Sequence, residues 1–488
     1  MIEDKAAASR RNFLKAAGVL VATSAVGAKA IAAGQTRVEQ SGTTPPKAGD
    51  HFDVIVIGGG MAGLTAARDC ALRGMKTLVL EARNRIGGRT FTSEYGGKRV
   101  ELGGTWIHWS QGFVWNEVTR YGLSISETPG AMADTSAWIT GGKLKSAPSM
   151  ELWPKIGEAM AEYCNVDEWG GRLVFPRPYE PFLEREKVRQ WDRLSLTERM
   201  GQLKLTPEMR DLLNIQFTIN CHNDPRKGAF IDMLRWWVLG DSDMALMFDK
   251  IARFKIYEGT SALAHAIIGD GDAQLLLSTP VASVSSEGGR NVLTTTRGDH
   301  YTADAVICAV PQNVLSSIKF TPGLSQQKMR AAEAGHTGIG VKCYVHIKQK
   351  VGKWIGMAPY PNPITQIWTE QERDDGTLLV CFGPPGGLDQ NDEEQVQQAV
   401  RQLIPGADVV AVMGYEWALD PYSKGTWCWY RPEMFSESLE ALRAPEGSIF
   451  FASADSATGW RGFIDGAIQS GVESSHAVHE YLNKGKRS

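Results

Sequence analysis

The clearest hydrophobic pattern in the chain begins near residue 52. Phe52–Ile57 is a short apolar run rich in β-branched residues, which is typical of a parallel strand buried on both faces. A helical pattern then extends to Arg73, and a second apolar run predicts a strand over Thr77–Leu80. The order strand, helix, strand predicts an α/β fold with a parallel sheet.

Similar patterns recur much later in the sequence. Ala305–Pro311 and Ser448–Ala452 both predict strands, because each is a short, mostly apolar run. A helix is predicted from about Ile464, since apolar residues recur there at helical spacing. In the middle of the chain, Met150 to Met247 is predicted to be helical and to be followed by further strands.

The first 32 residues have the pattern of an export signal. Arg10 and Arg11 lie in a match to the twin-arginine motif, and the uncharged stretch Ala16–Ala28 follows them. That stretch is shorter than the roughly 20 residues that span a bilayer, and Ala30–Ala32 offers a small-residue cleavage site. We therefore expect a twin-arginine signal peptide over 1–32, a linker over 33–50, a periplasmic location and no stable membrane insertion. The alternative is an amphipathic N-terminal helix.

Composition narrows the class of protein. The chain has 488 residues, of which 43% are apolar and 22% charged, as in ordinary globular proteins with two or three domains. The formal net charge of −3 gives no reason to expect a nucleic-acid partner. Seven scattered cysteines form no CxxC pair, so neither a disulfide framework nor a metal site is predicted.

A nucleotide-binding motif follows the first strand directly. Gly58–Gly63 has the spacing GxGxxG, which allows a tight turn and a close approach of the backbone to a pyrophosphate. The helix N-terminus behind the turn favours negative charge. Glu81 ends the second strand and is expected to bind a ribose hydroxyl, which leaves both NAD and FAD open.

The next segments resemble the flavin-containing amine oxidase family. Arg83–Thr90 resembles the second flavin motif of that family, and Glu101–Trp106 resembles the segment beside its flavin ring. Ser278–Val281 resembles the strand that reaches the adenine. The resemblance extends from about His51 to Leu482 and implies FAD as the cofactor. The contacts that it implies are with Gly58, Gly60, Met61, Ala62, Gly63, Glu81, Ala82, Arg83, Gly88, Arg89, Gly103, Gly104, Thr105, Trp106, Val281, Asp455 and Ile464.

The same resemblance implies a two-domain architecture. A Rossmann-like FAD-binding domain is expected from residues 50–130, 260–345 and 430–484. A second, α+β substrate domain is expected from residues 131–259 and 346–429, with its helices before its strands. The substrate pocket is expected between the two.

Two positions depart from the pattern of the family. The family usually has Phe-Ala-Gly-x-Glu where this chain has Phe451–Asp455, so Ser453 adds bulk and Asp455 replaces the glutamate that binds the ribityl chain. Thr426 stands where monoamine oxidases carry a flavin-linking cysteine, and Cys428 is out of register. We therefore expect the FAD to be bound non-covalently.

Three residues match the catalytic positions of the family. Lys342 matches the lysine that holds a water near flavin N5, and a lysine between apolar neighbours is expected to have a lowered pKa. Trp427 and Phe463 match the two aromatic walls that flank the substrate nitrogen. An apolar pocket favours the neutral amine that hydride donation requires.

Two short segments, Phe175–Pro181 and Tyr344–Gln349, resemble the nicotine-degrading branch of the family. The aromatic Phe463 favours the open-chain amino ketone pseudooxynicotine as the substrate. The expected reaction is hydride transfer to flavin N5, followed by imine hydrolysis to 3-succinoylsemialdehyde-pyridine and methylamine. The alternative within this branch is oxidation of nicotine to N-methylmyosmine.

Other functions remain open at this point. An L-amino-acid oxidase needs an arginine for the substrate carboxylate, for which Arg461 is a candidate, and a polyamine oxidase needs acidic residues such as Glu258. A non-catalytic flavoprotein is a third option. Either oxygen or a periplasmic cytochrome could accept the electrons, and a homodimer is one option for the assembly.

Overall fold

The predicted strand–helix–strand unit lies at the centre of an eight-stranded sheet. The computed structural model describes residues 46–485. The strands in this part are β1 (His51–Ile57), β2 (Thr77–Leu80), β3 (Thr92–Tyr95), β4 (Lys98–Glu101), β5 (Trp106–Ile107), β6 (Ile125–Glu127), β7 (Thr135–Thr140), β8 (Lys143–Pro148), β9 (Phe254–Ile256), β10 (Gln274–Leu276), β11 (Val281–Glu287), β12 (Arg290–Thr295), β13 (His300–Cys308), β14 (Lys319–Thr321), β15 (Val341–Ile347), β16 (Trp354–Met357), β17 (Gln366–Arg373), β18 (Gly376–Gly383), β19 (Val409–Gly414) and β20 (Ile449–Phe451).

The helices pack around these strands. The α-helices of the described part are α1 (Met61–Leu72), α2 (Gly112–Arg120), α3 (Ser149–Cys164), α4 (Arg185–Asp192), α5 (Leu196–Gly201), α6 (Pro207–Cys221), α7 (Phe230–Leu239), α8 (Met244–Ala252), α9 (Thr260–Gly269), α10 (Gln312–Leu315), α11 (Gln326–Ala334), α12 (Glu393–Arg401), α13 (Met434–Arg443) and α14 (Ile464–Gly485). Short 3-10 turns lie at Pro129–Met132 and Ala454–Ser456.

The first sheet has the order β10-β2-β1-β13-β12-β11-β14, and β20 also pairs with β13. The strand β1 runs parallel to both β2 and β13, so Val56 lies opposite Val79 on one side and Ile307 on the other. Because parallel strands end at the same edge, the loops after β1, β2 and β13 meet there. This edge is where an α/β sheet of this kind binds ligands.

The strand predicted near residues 278–281 begins later than expected. Only Val281 belongs to β11, since Ser278 has a φ of +53° and forms a turn before the strand. This turn is fixed by the N–H of Ser278, which donates to Arg83 O, and by the N–H of Thr279, which donates to Glu81 O. The turn therefore lies beside the end of β2 in space, although about 200 residues separate the two in sequence.

The second sheet has the order β19-β15-β18-β17-β16-β7-β8. It departs from the expected order of helices before strands, because β7 and β8 precede the helices α3 to α8. The predicted boundary at residue 345 falls inside β15, which pairs with β18 and β19 along its length. The early strands β7 and β8 belong to this sheet because β7 pairs in parallel with β16, which buries Ala137 and Trp138. The division into two domains stays a prediction.

Other expectations concern the chain ends, the cysteines and metals. The predicted signal peptide over 1–32 and most of the linker lie outside the described residues. Between residues 46 and 485, no helix combines the length and the apolar character needed to cross a membrane. In the same range no group of side chains is arranged to hold a metal ion. All seven cysteines are buried free thiols.

Candidate functional site

A cavity of about 550 Å³ follows the carboxyl ends of β1 and β2 and reaches the second sheet. Residues from many separate stretches of the chain line it, between Ile57 and Ala467. All the cofactor residues predicted from the sequence line this cavity except Gly63 and Asp455, and Lys342, Trp427 and Phe463 line it as well. Folding therefore brings the predicted cofactor and catalytic residues together at one place.

The glycine turn forms one end of the cavity. A Cβ on Gly88, whose φ is +59°, would lie 3.0 Å from the Cα of Gly60, so the two backbone segments are in direct contact. Gly63 lies behind the turn, where a Cβ would be 2.0 Å from the carbonyl oxygen of Gly58. Helix α1 begins here with no side-chain cap and no acidic residue in its first turn. Its N–H groups are therefore open to an anionic group such as a diphosphate.

Glu81 lies beside this turn at the end of β2. Its carboxylate accepts the N–H of Gly59 at 2.6 Å and the N–H of Arg83 at 2.7 Å. Burial raises the pKa of Glu81, and these two hydrogen bonds and the charge of Arg83 oppose that rise. A buried carboxylate at the end of the second strand fits a ribose hydroxyl, as the sequence predicts.

Arg89 and Asp455, both predicted to contact the cofactor, form an ion pair. Arg89 Nη2 lies 2.6 Å from Asp455 Oδ1, and Arg89 Nη1 donates to the carbonyl of Thr426 at 2.7 Å. The other oxygen of Asp455 accepts the N–H of Gln312 at 2.9 Å. Burial opposes the charge of Asp455, but Arg89 and the hydrogen bonds outweigh it and lower the pKa. Arg89 lines the cavity and Asp455 does not, so the aspartate positions the arginine.

Lys342 extends from β15 into the cavity wall. It is 4% exposed, and its Nζ donates to Glu101 O at 2.7 Å, Gly103 O at 2.7 Å and Thr105 Oγ1 at 2.6 Å. The ring of Trp106 lies beside it, with its centroid 5.0 Å from Nζ. The three acceptors belong to the segment that was predicted to run beside the flavin ring.

The charge of Lys342 is weakened by its surroundings. Burial lowers its pKa from 10.5 to about 7, although the carboxylates of Glu370 and Glu101 raise it in part. Glu370 is itself paired with Lys255, whose positive charge lowers the pKa of Lys342 further. The lowered pKa makes the neutral amine of Lys342, which offers a lone pair, more accessible near neutral pH than that of an ordinary lysine.

Trp427 is held from behind by His222. The two rings stack with centroids 4.0 Å apart and an angle of 7° between their planes. Burial lowers the pKa of His222 to about 3, so the imidazole is neutral and Nε2–H donates to Val341 O at 3.1 Å. Its Nδ1 then accepts the hydroxyl of Thr426 at 2.8 Å. The indole N–H of Trp427 donates to Asn220 O at 2.8 Å, which fixes the ring in its plane.

Phe463 forms another aromatic wall of the cavity. It packs against Trp236 at 4.9 Å and Trp460 at 5.2 Å, measured between ring centroids. Helix α14 starts at the next residue, and its first turn contributes Ile464 and Ala467 to the lining. The N-terminus of this helix therefore faces the cavity, as the resemblance implies.

Sequence reasoning missed much of the wall that surrounds Trp427 and Phe463. The missed residues lie on α6, α7, α8, β17 and β18 and include Gln216, Ile219, Asn220, Trp236, Phe248, Ile251, Gln366, Trp368 and Phe382. Most are apolar residues in apolar patterns, which do not distinguish a cavity wall from an ordinary core. The two glutamines carried a usable signal, because each is a polar residue in a buried stretch.

The residues that would indicate a different substrate lie elsewhere. Arg461 is ion-paired with Asp232, and its guanidinium lies 3.9 Å above the ring of Tyr430. Glu258 accepts the N–H of Ser124 at 3.0 Å. Neither residue lines the cavity. Within residues 46–485, Glu81 at the glycine turn is the only acidic residue in the lining.

The sequence matches the family described as flavin containing amine oxidoreductase over residues 61–479. It is 43% identical to a pseudooxynicotine dehydrogenase from a Pseudomonas species, over 98% of this chain and 97% of the relative. It is also 35% identical to a nicotine dehydrogenase from Pseudomonas putida, over 97% of this chain and 98% of the relative.

Solved structures with the same fold include a putrescine oxidase bound to putrescine and a cyclohexylamine oxidase from Brevibacterium oxydans. The TM-scores are 0.74 and 0.71, at 19% and 18% identity. The aligned part covers 88% of this chain and 99% of the first, and 90% of this chain and 100% of the second. At this identity the likeness shows the fold alone.

Proposed function

Because the chain belongs to the flavin-containing amine oxidoreductase family, we propose that it oxidises the secondary amine pseudooxynicotine, with FAD held non-covalently. The chain is an oxidoreductase that uses a flavin. The observation that carries the choice of substrate is the part of the wall formed by Lys342, Trp427 and Phe463, which no acidic side chain of the described residues lines. That wall suits a neutral amine on an apolar chain.

The adenine-nucleotide form of the cofactor is supported by the far end of the cavity. The open N-terminus of α1 and the carboxylate of Glu81 offer sites for a diphosphate and for a ribose hydroxyl. Val281 lines the same end, where the resemblance places the adenine. A flavin without the adenosine half would leave these groups without a partner.

The arrangement of the cysteines supports non-covalent binding. None of the seven cysteines lines the cavity, and all seven lie in the described part of the chain. The Cys428 thiol is buried and donates to the carbonyl of Asp455, and burial raises its pKa. A protonated thiol behind the wall is a poor nucleophile. Thr426, at the position of the linking cysteine, contacts His222 instead.

When bound, the flavin supplies the acceptor for the hydride that leaves the carbon next to the amine. The protein orients that amine with the rings of Trp427 and Phe463 and excludes water from their faces. Lys342 without its proton can hold a water through its Nζ lone pair while two N–H groups still donate to the backbone. That water then hydrolyses the oxidised substrate to an aldehyde and methylamine.

The rival substrates need groups that the wall does not provide. A carboxylate would need a free arginine, but Arg461 is already paired with Asp232. A second ammonium group would need an acid, and Glu258 lies outside the lining. Nicotine remains the second candidate, because the same wall would accept its ring nitrogen and because a nicotine dehydrogenase is 35% identical to this chain.

The decisive experiment is anaerobic reduction of the yellow holoenzyme in a stopped-flow instrument. We expect pseudooxynicotine to bleach the flavin faster and at lower concentration than nicotine, and methylamine to form in equal amount. Faster bleaching by nicotine would reverse the assignment, and bleaching only by diamines or amino acids would overturn it. Reoxidation by oxygen or by a cytochrome, followed in the same instrument, would identify the electron acceptor.

A further inference from the structure

Two buried glutamine side chains that line the cavity each have an amide Nε2 without a hydrogen-bond partner. Gln216 is 2% exposed and Gln366 is 1% exposed, and both belong to the lining. Within residues 46–485, the Nε2 of each and the indole Nε1 of Trp368 are buried donors with no acceptor. Leaving a buried donor unpaired costs free energy, so buried polar groups are nearly always satisfied. A cluster of exceptions in a cavity wall points to a ligand that supplies the acceptors.

The register of the second sheet places Gln366 relative to Lys342. Lys342 on β15 lies opposite Phe382 on β18, and Phe382 lies opposite Gln366 on β17. Residues that are opposite one another point to the same face of a sheet. Neighbouring strands are spaced roughly 4.7–4.9 Å apart, so two such steps put the backbone of Gln366 about 10 Å from that of Lys342. Trp368, two residues further along β17, points to the same face.

Gln216 lines the same cavity from helix α6, which packs against β18. It lies on α6, one turn before Asn220, whose carbonyl holds the indole of Trp427. Residues four apart share one face of a helix and are separated by about 5–6 Å. Gln216 is therefore about one helical turn away from the carbonyl that holds the indole of Trp427.

We propose that Gln216 and Gln366 bind a hydrogen-bond-accepting atom, a ketone oxygen or a pyridine nitrogen, at the end of the substrate remote from its amine. This inference rests on the proposed function, because pseudooxynicotine carries both atoms beyond three methylene groups. Rotation of a glutamine amide by half a turn exchanges its NH₂ and C=O ends, so each can present a donor to the cavity. A few polar groups in an apolar wall fix the orientation of a ligand. The two glutamines thus select against amines with plain hydrocarbon tails.

The test is the binding of fragments that carry no amine, measured by calorimetry on the holoenzyme. Propyl 3-pyridyl ketone has both acceptors, propyl phenyl ketone has only the oxygen, 3-butylpyridine has only the nitrogen, and butylbenzene has neither. We expect the pyridyl ketone to bind more tightly than butylbenzene. We expect Gln366→Met and Gln216→Met each to weaken it about fivefold to tenfold, the loss of one neutral hydrogen bond. The single-acceptor fragment whose affinity falls identifies the atom that is bound.

Two further variants make the result decisive. Gln366→Leu removes the donor with a different side-chain shape, so it should weaken ketone binding even where Gln366→Met folds poorly. Gln111→Met is the matched control, because Gln111 is buried outside the lining and its Nε2 donates to Lys250 O at 3.2 Å. It should leave every fragment affinity unchanged.

The inference is overturned if wild type binds all four fragments alike, or if the glutamine variants bind the ketone as tightly as wild type. The fragments cannot reduce the flavin, so this result is independent of turnover. If pseudooxynicotine fails to bleach the flavin while the ketone still binds through the glutamines, the proposed reaction is wrong and the inference stands.

Discussion

At the scale of single residues, Lys342 has the most consequential environment. Burial lowers its pKa to about 7, against the opposing charges of Glu370 and Glu101. Its place in the site could be predicted from the sequence through the resemblance, together with the lowered pKa. The partners of Nζ could not, because Glu101, Gly103 and Thr105 meet β15 only in the folded chain.

The first prediction concerns this lysine. A folded-state pKa below the ordinary value of 10.5 means that the neutral amine is absent well below pH 7 and present well above it. If the neutral amine holds the hydrolytic water, turnover by wild type should rise with pH through about 7. In Lys342→Met this rise of turnover with pH should be absent. Its turnover should be about 100-fold lower, the lower end of what a positioned proton acceptor contributes, while its visible spectrum still shows bound flavin.

The ionisation of the substrate amine provides an internal control for this experiment. It affects wild type and Lys342→Met alike, so any change of turnover with pH that both proteins show belongs to the substrate. An identical pH profile in the two proteins would remove the proposed role of Lys342.

At the scale of elements, the joint between β1 and α1 depends on Gly63. A Cβ there would lie 2.0 Å from Gly58 O and 3.1 Å from the side chain of Ala309, and backbone cannot move aside cheaply. We therefore expect Gly63→Ala to push α1 away from the turn and to weaken flavin retention at least tenfold, measured by dialysis against free FAD. Overpacking of this kind typically costs 1–3 kcal/mol of stability.

Gly201→Ala is the control for that substitution. Gly201 ends α5, and a Cβ there would meet nothing within 4 Å. This variant should retain flavin as wild type does. Equal retention by Gly63→Ala would show that the joint between β1 and α1 is not as tight as the geometry indicates.

The elements also show where sequence patterns fail. The bounds of β2 and the start of α14 could be predicted, because each is a continuous local pattern with a clear end. The place of β15 in the second sheet could not, since it depends on pairing with β18 and β19 and not on its own residues. The same limit hid Gln366, whose relation to Lys342 exists only through the register of β18.

At the scale of the whole molecule, the cavity joins many distant stretches of chain. A ligand that fills it binds the folded state alone and therefore stabilises it. We expect free FAD at 100 times its Kd to raise the unfolding free energy of the apoprotein by about 2.7 kcal/mol, observed as a higher midpoint in thermal unfolding. FMN should give a much smaller shift, because it cannot occupy the end formed by Gly58–Gly63 and Glu81. Equal shifts would contradict the choice of FAD.

The predicted export signal is also tested on the whole chain. Replacing both Arg10 and Arg11 by lysine should keep the enzyme in the cytoplasm with its flavin bound, as shown by cell fractionation and the visible spectrum. Lysine preserves the charge, so a change of location would be specific to the arginine pair. An unchanged periplasmic fraction would refute the twin-arginine assignment.

The position of α14 has a consequence for the release of the cofactor. Its first turn contributes Ile464 and Ala467 to the cavity, and further along it packs against α1, the helix that begins at the glycine turn. The two helices therefore hold the two ends of the cavity together, and a movement that separates them opens the cavity at both ends at once.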